Sequence, residues 1–150
     1  MSMKRRDVLG RLGAMALGLA LLPLKVWAAR PDKAFSEETL EAAFGDMFAG
    51  AKPIPSSKIE IKAPDIAENG AVVPIKITTT LPGAESVSIV AAKNPFPLTA
   101  MFALTPSSGA MVATRIKMGK TSKVYAIVKA GDKFYSASKQ VKVTIGGCGG

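Results

Sequence analysis

Residues 111–145, MVATRIKMGKTSKVYAIVKAGDKFYSASKQVKVTI, decide the fold. Val112, Thr114, Ile116 and Met118 alternate with Ala113, Arg115 and Lys117. That period of two is the mark of a strand with one face buried. Gly119-Lys120 breaks this run, and Gly131-Asp132 separates the next two as a hairpin turn would. In the last run Val141, Val143 and Ile145 share one face, while Gln140, Lys142 and Thr144 share the other. Three consecutive β-strands are therefore expected here.

The same pattern extends upstream. Runs rich in Val, Ile and Thr occupy 59–62, 71–79, 86–91, 99–104, 110–118, 121–129 and 133–145. Asn69-Gly70 reads as a hairpin signal, Leu81-Pro82-Gly83-Ala84 suits a type II turn, and Ser107-Ser108-Gly109 marks another turn. Pro74 lacks an amide proton and so belongs at an edge or a bulge. Seven short strands with regular turns predict an all-β, immunoglobulin-like antiparallel β-sandwich. One helical pattern precedes it, in PDKAFSEETLEAAFGDMFAG (31–50). Leu40, Ala43, Phe44, Met47 and Phe48 recur at helical spacing, Ser36 offers a cap, and Gly50 and Pro53 stop the run. Its Phe and Met stripe is expected to pack on the domain or on a partner. Met101, Met111 and Met118 lack the spacing of a metal-ligand motif and are expected to pack within the sandwich.

The first 28 residues read differently. Lys4, Arg5 and Arg6 precede an uncharged stretch from Leu12 to Leu24, too short for the ~20 residues of a membrane span. Val26-Trp27-Ala28 supplies a cleavage site after Ala28. Arg5-Arg6-Asp7-Val8-Leu9 matches the twin-arginine export pattern, with Val8 where Phe is commoner. The expected organisation is a cleaved export signal at 1–28, a β-sandwich domain with its helix at 29–145, and a glycine-rich arm at 146–150. The expected destination is a bacterial periplasm.

The chain has 20 basic and 11 acidic residues, and the leader holds five and one of them. The mature part therefore carries 15 against 10, a net charge of +5. From Met101 onward, eight Lys or Arg face only Asp132. Such a bias attracts anions or an acidic partner. Nucleic acid is a poor fit, because no aromatic residues interleave with the charges.

There is no histidine and one cysteine. Ser-His-Asp and Cys-His catalysis, histidine metal ligation and an internal disulfide are thereby excluded. Cys148 sits between Gly146-Gly147 and Gly149-Gly150. Glycines make a slim and adaptable arm, able to thread one thiol into a pocket on another protein. An exposed thiol invites oxidation in the periplasm, so an incidental cysteine is a poor explanation. The chain has a nucleophile without a base, so it is not expected to finish a reaction alone.

VKVTIGGCGG (141–150), KNPFPLTAMFALTP (93–106) and the strands of 114–145 resemble the SoxY family, the sulfur carriers of the bacterial Sox sulfur-oxidation system. The resemblance spans essentially the whole chain, and the terminal GGCGG is its most specific part. It implies that Cys148 holds pathway intermediates covalently, as an S-thiosulfonate, a persulfide and an oxidised persulfide. It implies no cofactor beyond that bound sulfur, and no metal. It also implies a heterodimer with SoxZ, and transient meetings with the haem enzyme SoxXA, the hydrolase SoxB and, where present, the sulfane dehydrogenase SoxCD. Lys139 and Lys142 are candidates for steering the anion. Among the rivals, an immunoglobulin-like assembly module would use Cys148 in an intermolecular disulfide. A ubiquitin-like carrier using the Gly149-Gly150 carboxylate would need ATP, which the periplasm lacks. A thiol metal chaperone would want further ligands close by.

Overall fold

The computed structural model describes residues 31–48, 50–105 and 109–144. They belong to one unit, Pro31–Gly150, while the expected leader falls outside the described residues. The described strands are β1 (Ile54–Pro55), β2 (Ile59–Lys62), β3 (Ile66–Ala67), β4 (Val73–Thr79), β5 (Ala84–Ala91), β6 (Leu98–Ala103), β7 (Met111–Ile116), β8 (Ser122–Ala130) and β9 (Lys133–Val143). Two helices precede them, α1 (Asp32–Ser36) and α2 (Leu40–Phe48).

The strands form a β-sandwich. One sheet runs β1-β9-β8-β5-β6, with β3 also pairing to β9, and the other runs β2-β4-β7. The chain changes sheets between β4 and β5, through a turn in which Gly83 takes φ 68°, as the type II geometry requires. It changes again between β7 and β8 at Gly119-Lys120. There Asn94 holds the corner, its Nδ2 donating to the Lys117 carbonyl at 2.7 Å and its Oδ1 accepting from the Gly119 amide at 3.0 Å. The β8–β9 connection is a tight hairpin, with Gly131 at φ 60° between the paired Ala130 and Lys133. This order of strands in two facing sheets is that of immunoglobulin-like sandwiches.

Alternation decides which side chains fill the space between the sheets. Val73, Ile75 and Ile77 from β4, Val112 and Ile116 from β7, and Met118 meet Val87, Ile89, Ala91, Val124, Ala126, Val128 and Val141. Each such fully buried aliphatic side chain contributes about 1.5–3 kcal/mol relative to exposure. The two terminal runs keep the parity read from the sequence: Ile116 and Val141 are buried, Arg115 and Lys142 exposed.

The larger sheet has a second layer on its outer face. Ala34, Val90 and Leu98 are buried there, with Phe35, Leu40, Phe44, Met47 and Tyr125 packed around them. Phe44 meets Tyr125 edge-on at 6.0 Å, and the Phe48 and Phe134 rings lie 4.6 Å apart. The helical Phe and Met stripe thus covers the domain's own sheet. On its outer side, the Lys33 ammonium donates to Asp46 at 2.8 Å. That hydrogen bond holds the Asp46 carboxyl below its usual range and raises the Lys33 ammonium above its own.

Several local expectations need correction. The single expected helix is two, and Ser36 is not a cap: it closes α1, its hydroxyl donating back to the carbonyls of Asp32 and Lys33. The Thr39 hydroxyl takes the capping role, accepting from the Ala42 amide at 3.2 Å. Asn69-Gly70 is not a hairpin turn. It carries the chain from β3, in the larger sheet, to β4, in the smaller, with Asn69 Oδ1 accepting from the Ala71 amide. Two short strands, β1 and β3, were not anticipated, because two residues cannot show a period. Met118 is buried as expected, but Met101 and Met111 point outward and are 36% and 49% exposed. Pro74 lies in the middle strand of its sheet, yet β2 stops at Lys62 opposite Lys76. Pro74 is therefore paired on the β7 side only, which satisfies the constraint that placed it at an edge.

Candidate functional site at the root of the C-terminal arm

The residues expected to carry the chemistry, Cys148 with Gly146, Gly147, Gly149 and Gly150, lie outside the described residues, as do Arg5 and Arg6 of the export signal. What the structure defines is the end of β9, the strand that precedes these residues in the sequence. The last described residue is Thr144, and Cys148 follows four residues later. Covalent geometry limits that span to about 13–14 Å.

Both edges of β9 are occupied. On one side β8 pairs antiparallel with it from Lys133 to Val141. On the other, β1 and β3 pair parallel at Tyr135-Ser136 and at Lys142-Val143. Backbone bonds continue to the limit of the described strand. The Lys142 amide donates to the Asp65 carbonyl at 2.9 Å, and the Thr144 amide to the Ala67 carbonyl at 3.1 Å. Beyond the β8 ladder a side chain takes over. Thr121 Oγ1 accepts from the Val143 amide at 2.9 Å and donates to the Val143 carbonyl at 3.3 Å.

Gly70 closes the same corner. A Cβ there would stand 2.4 Å from the Met118 carbonyl oxygen and 2.8 Å from Val143 Cγ1. Glycine is needed for this close approach, and its carbonyl accepts from the Met118 amide at 2.7 Å. Backbone, hydroxyl and packing together hold the strand end from three directions.

The two lysines proposed for anion steering lie on opposite faces of β9, being three residues apart. Lys139 reaches across the strand edge: its Nζ donates to the Ala63 carbonyl at 2.6 Å and pairs with Asp65 at 3.1 Å. Its charge is engaged in holding the segment that follows β2. Lys142 is exposed and carries no ion pair among the described residues. The structure does not bring these two lysines together. The sequence reading missed Thr121, Asp65, Ala67 and Gly70. Only Gly70 carries a signal in the sequence, where Asn-Gly suggests a turn, whereas in the fold close packing requires the glycine.

Comparison with known proteins decides the family. The family model "Sulfur oxidation protein SoxY" matches residues 45–148. The chain belongs to the SoxY family. The match begins inside α2, takes in every described strand and runs to Cys148. Among solved structures, the sulfur carrier protein SoxY from Chlorobium limicola f thiosulfatophilum is 44% identical, with a TM-score of 0.63. That likeness covers 71% of this chain and 97% of the Chlorobium chain. A superoxide reductase (neelaredoxin) from Ignicoccus hospitalis is more distant, at 18% identity and a TM-score of 0.48 over 58% of this chain and 80% of its own. No curated protein sequence matches significantly. The described strands are thus those of a SoxY β-sandwich.

Proposed function

We propose that this SoxY-family chain is a covalent sulfur carrier of the bacterial periplasm, holding thiosulfate-derived sulfur on Cys148. The observation that carries this reading is the family match, which runs from the helical layer through the sandwich to the single cysteine. The Chlorobium neighbour, named a sulfur carrier, supports it. The clamped end of β9 supports it mechanically, because a fixed root gives a short arm a defined reach.

The chemistry divides between carrier and enzymes. Loading joins the Cys148 sulfur to the outer sulfur of thiosulfate, giving the S-thiosulfonate, with loss of the thiol proton and two electrons. SoxXA takes those electrons; this chain has neither a second cysteine nor a haem attachment sequence to receive them. Water, directed by SoxB, then cleaves the bond between the sulfane sulfur and the sulfonate, releasing sulfate and a proton and leaving a persulfide. Where SoxCD is present it takes six electrons from the outer persulfide sulfur while three waters supply the oxygens of a sulfonate, and hydrolysis of that sulfonate releases a second sulfate and restores the thiol. A thiol near its ordinary pKa of ~8.5 is only a few per cent thiolate at neutral pH, so activation falls to the partner's pocket. The chain supplies the sulfur atom, the arm and the platform, and no catalysis of its own.

SoxZ is the proposed heterodimer partner, and export is by the twin-arginine route. Replacing Arg5 and Arg6 with lysine should retain the chain in the cytoplasm, together with SoxZ if the pair is exported folded. Fractionation that finds SoxZ in the periplasm regardless would separate the two routes. The function itself is tested by reconstitution. With the Sox enzymes, SoxZ and thiosulfate, sulfate should form only when this chain is present, and in excess over it, since a carrier is recycled. Sulfate formation at the same rate without it would refute the reading.

A further inference from the structure

The outer face of the smaller sheet is strongly polarised. On the side turned away from the core, β2 presents Glu60 and Lys62, β4 presents Pro74, Lys76 and Thr78, and β7 presents Met111, Ala113 and Arg115. Lys62 stands directly opposite Lys76 in the register, and Lys76 opposite Ala113, one outward position along β7 from Arg115. Like charges facing each other across two strands destabilise a sheet. Glu60 reaches Lys62 at 3.5 Å, but neither Lys76 nor Arg115 has an ion pair among the described residues. Folding gives no reason to gather three cations here.

The same place is a shallow, open depression. β2 leaves the sheet after Lys62, and the segment Ala63-Pro64 turns away, opening a cleft of about 550 Å³ beside Pro74. Lys62, Lys76 and Arg115 line it, with Pro64, Pro74 and Ala113 supplying an apolar floor. The cleft is also joined to the arm root. Ala63 lines it, and the Ala63 carbonyl accepts the Lys139 hydrogen bond that fastens this segment to β9.

We propose that this cleft docks an acidic polypeptide surface of a partner protein, with Lys62, Lys76 and Arg115 as its cationic contacts. Charge complementarity selects that occupant. A lone small oxyanion on exposed side chains gains too little, since each exposed pair is weak and is screened by salt. An acidic protein surface engages all three cations at once and covers the proline floor. Steering by such a patch raises the encounter rate as well. The helical layer, on the opposite side of the sandwich, carries Asp32, Glu37, Glu38, Glu41 and Asp46 against Lys33. A second copy could offer those acids, but that head-to-tail contact would propagate into rings or open chains instead of a two-fold dimer.

The experiment uses the full-length protein purified as its Cys148→Ser variant, so that sulfur loading plays no part in the result. Its 15N-labelled amides are titrated with a deca-glutamate peptide at low salt, and separately with sodium sulfate at matched ionic strength. The peptide should shift the amides of Lys62, Lys76, Ala113 and Arg115 in a saturable way. Binding should weaken roughly tenfold in Lys76→Gln/Arg115→Gln, which removes two exposed cationic contacts. An unchanged thermal midpoint shows that this variant is folded, and Lys76→Glu/Arg115→Glu should weaken binding further. Saturable shifts of the same amides by sulfate would reassign the cleft to a small anion and overturn the proposal. Peptide shifts confined to the β8 and β9 lysines, or no binding, would also overturn it. So would concentration-dependent self-association that the variant abolishes.

Discussion

Cys148→Ser should yield a folded protein that takes up no sulfur. Every step assigned to the carrier acts on a group held through the Cys148 sulfur, and the chain has no other thiol. A serine hydroxyl cannot form the sulfur–sulfur bond of a thiosulfonate or a persulfide, so the loss should be complete. The sandwich should not notice. Its core side chains lie between β2 and β9, and β9 ends at Val143, five residues before the substitution. The thermal midpoint is expected to stay within the shift of about ±0.5 kcal/mol typical of changes away from the core. Sulfate production by the reconstituted system and thermal unfolding of the same preparation check both halves. An assembly module joined to its partner through Cys148 behaves differently. Its serine variant would lose a disulfide-linked complex and leave thiosulfate oxidation unaffected.

Gly70→Ala should damage the platform while sparing the thiol. The added Cβ would stand 2.4 Å from the Met118 carbonyl oxygen and 2.8 Å from Val143 Cγ1. The first of these is backbone, which cannot swing aside as a side chain can. Relief must move the Gly70 turn away from Met118, stretching the 2.7 Å hydrogen bond between them, or push Val143 out of line. Overpacking of this kind costs about 1–3 kcal/mol, a fall of several degrees in the thermal midpoint of a domain this size. Gly119→Ala is the control. Its Cβ would meet nothing within 4 Å, so it should be close to neutral. Because Val143 is the strand residue held by Thr121, Gly70→Ala should also slow loading of Cys148 by the oxidising enzyme at temperatures where the variant is fully folded. Thermal unfolding and single-turnover loading measure the two effects separately.

The fold was legible wherever β-branched and apolar residues run for four positions or more between turn signals. β2 and β4 to β9 all fall on such runs, with alternation clearest for Val73, Ile75 and Ile77 on one strand and Val124, Ala126 and Val128 on another. The helix stripe could be read but not its divided form. Ser36 and Thr39 are both competent caps three residues apart, and only packing of Ala34 and Leu40 on the sheet distinguishes them. β1 and β3 could not be found, since each exists only as a partner for an edge of β9. Asn69-Gly70 misled for a related reason: the same dipeptide serves a hairpin and a passage between sheets.

The candidate site divides along the same line. A single cysteine between four glycines announces itself in one dimension. Its support does not, because Thr121, Asp65 and Gly70 lie 22, 78 and 73 positions from Val143 by sequence number and meet it, or its neighbour Lys142, only in the fold. Lys139 shows the converse. Its nearness to the arm in sequence suggested a role with the anion, whereas the structure joins it to Ala63 and Asp65.

The most direct test of the central claim is the intact mass of the periplasmic protein beside its Cys148→Ser variant. Each is measured before and after exposure to thiosulfate with the complete Sox system, and again after treatment with reductant. The account predicts added masses of sulfur and of thiosulfonate on the native chain, removed by reductant and absent from the variant. A native chain whose mass stays unchanged while the system oxidises thiosulfate would contradict it.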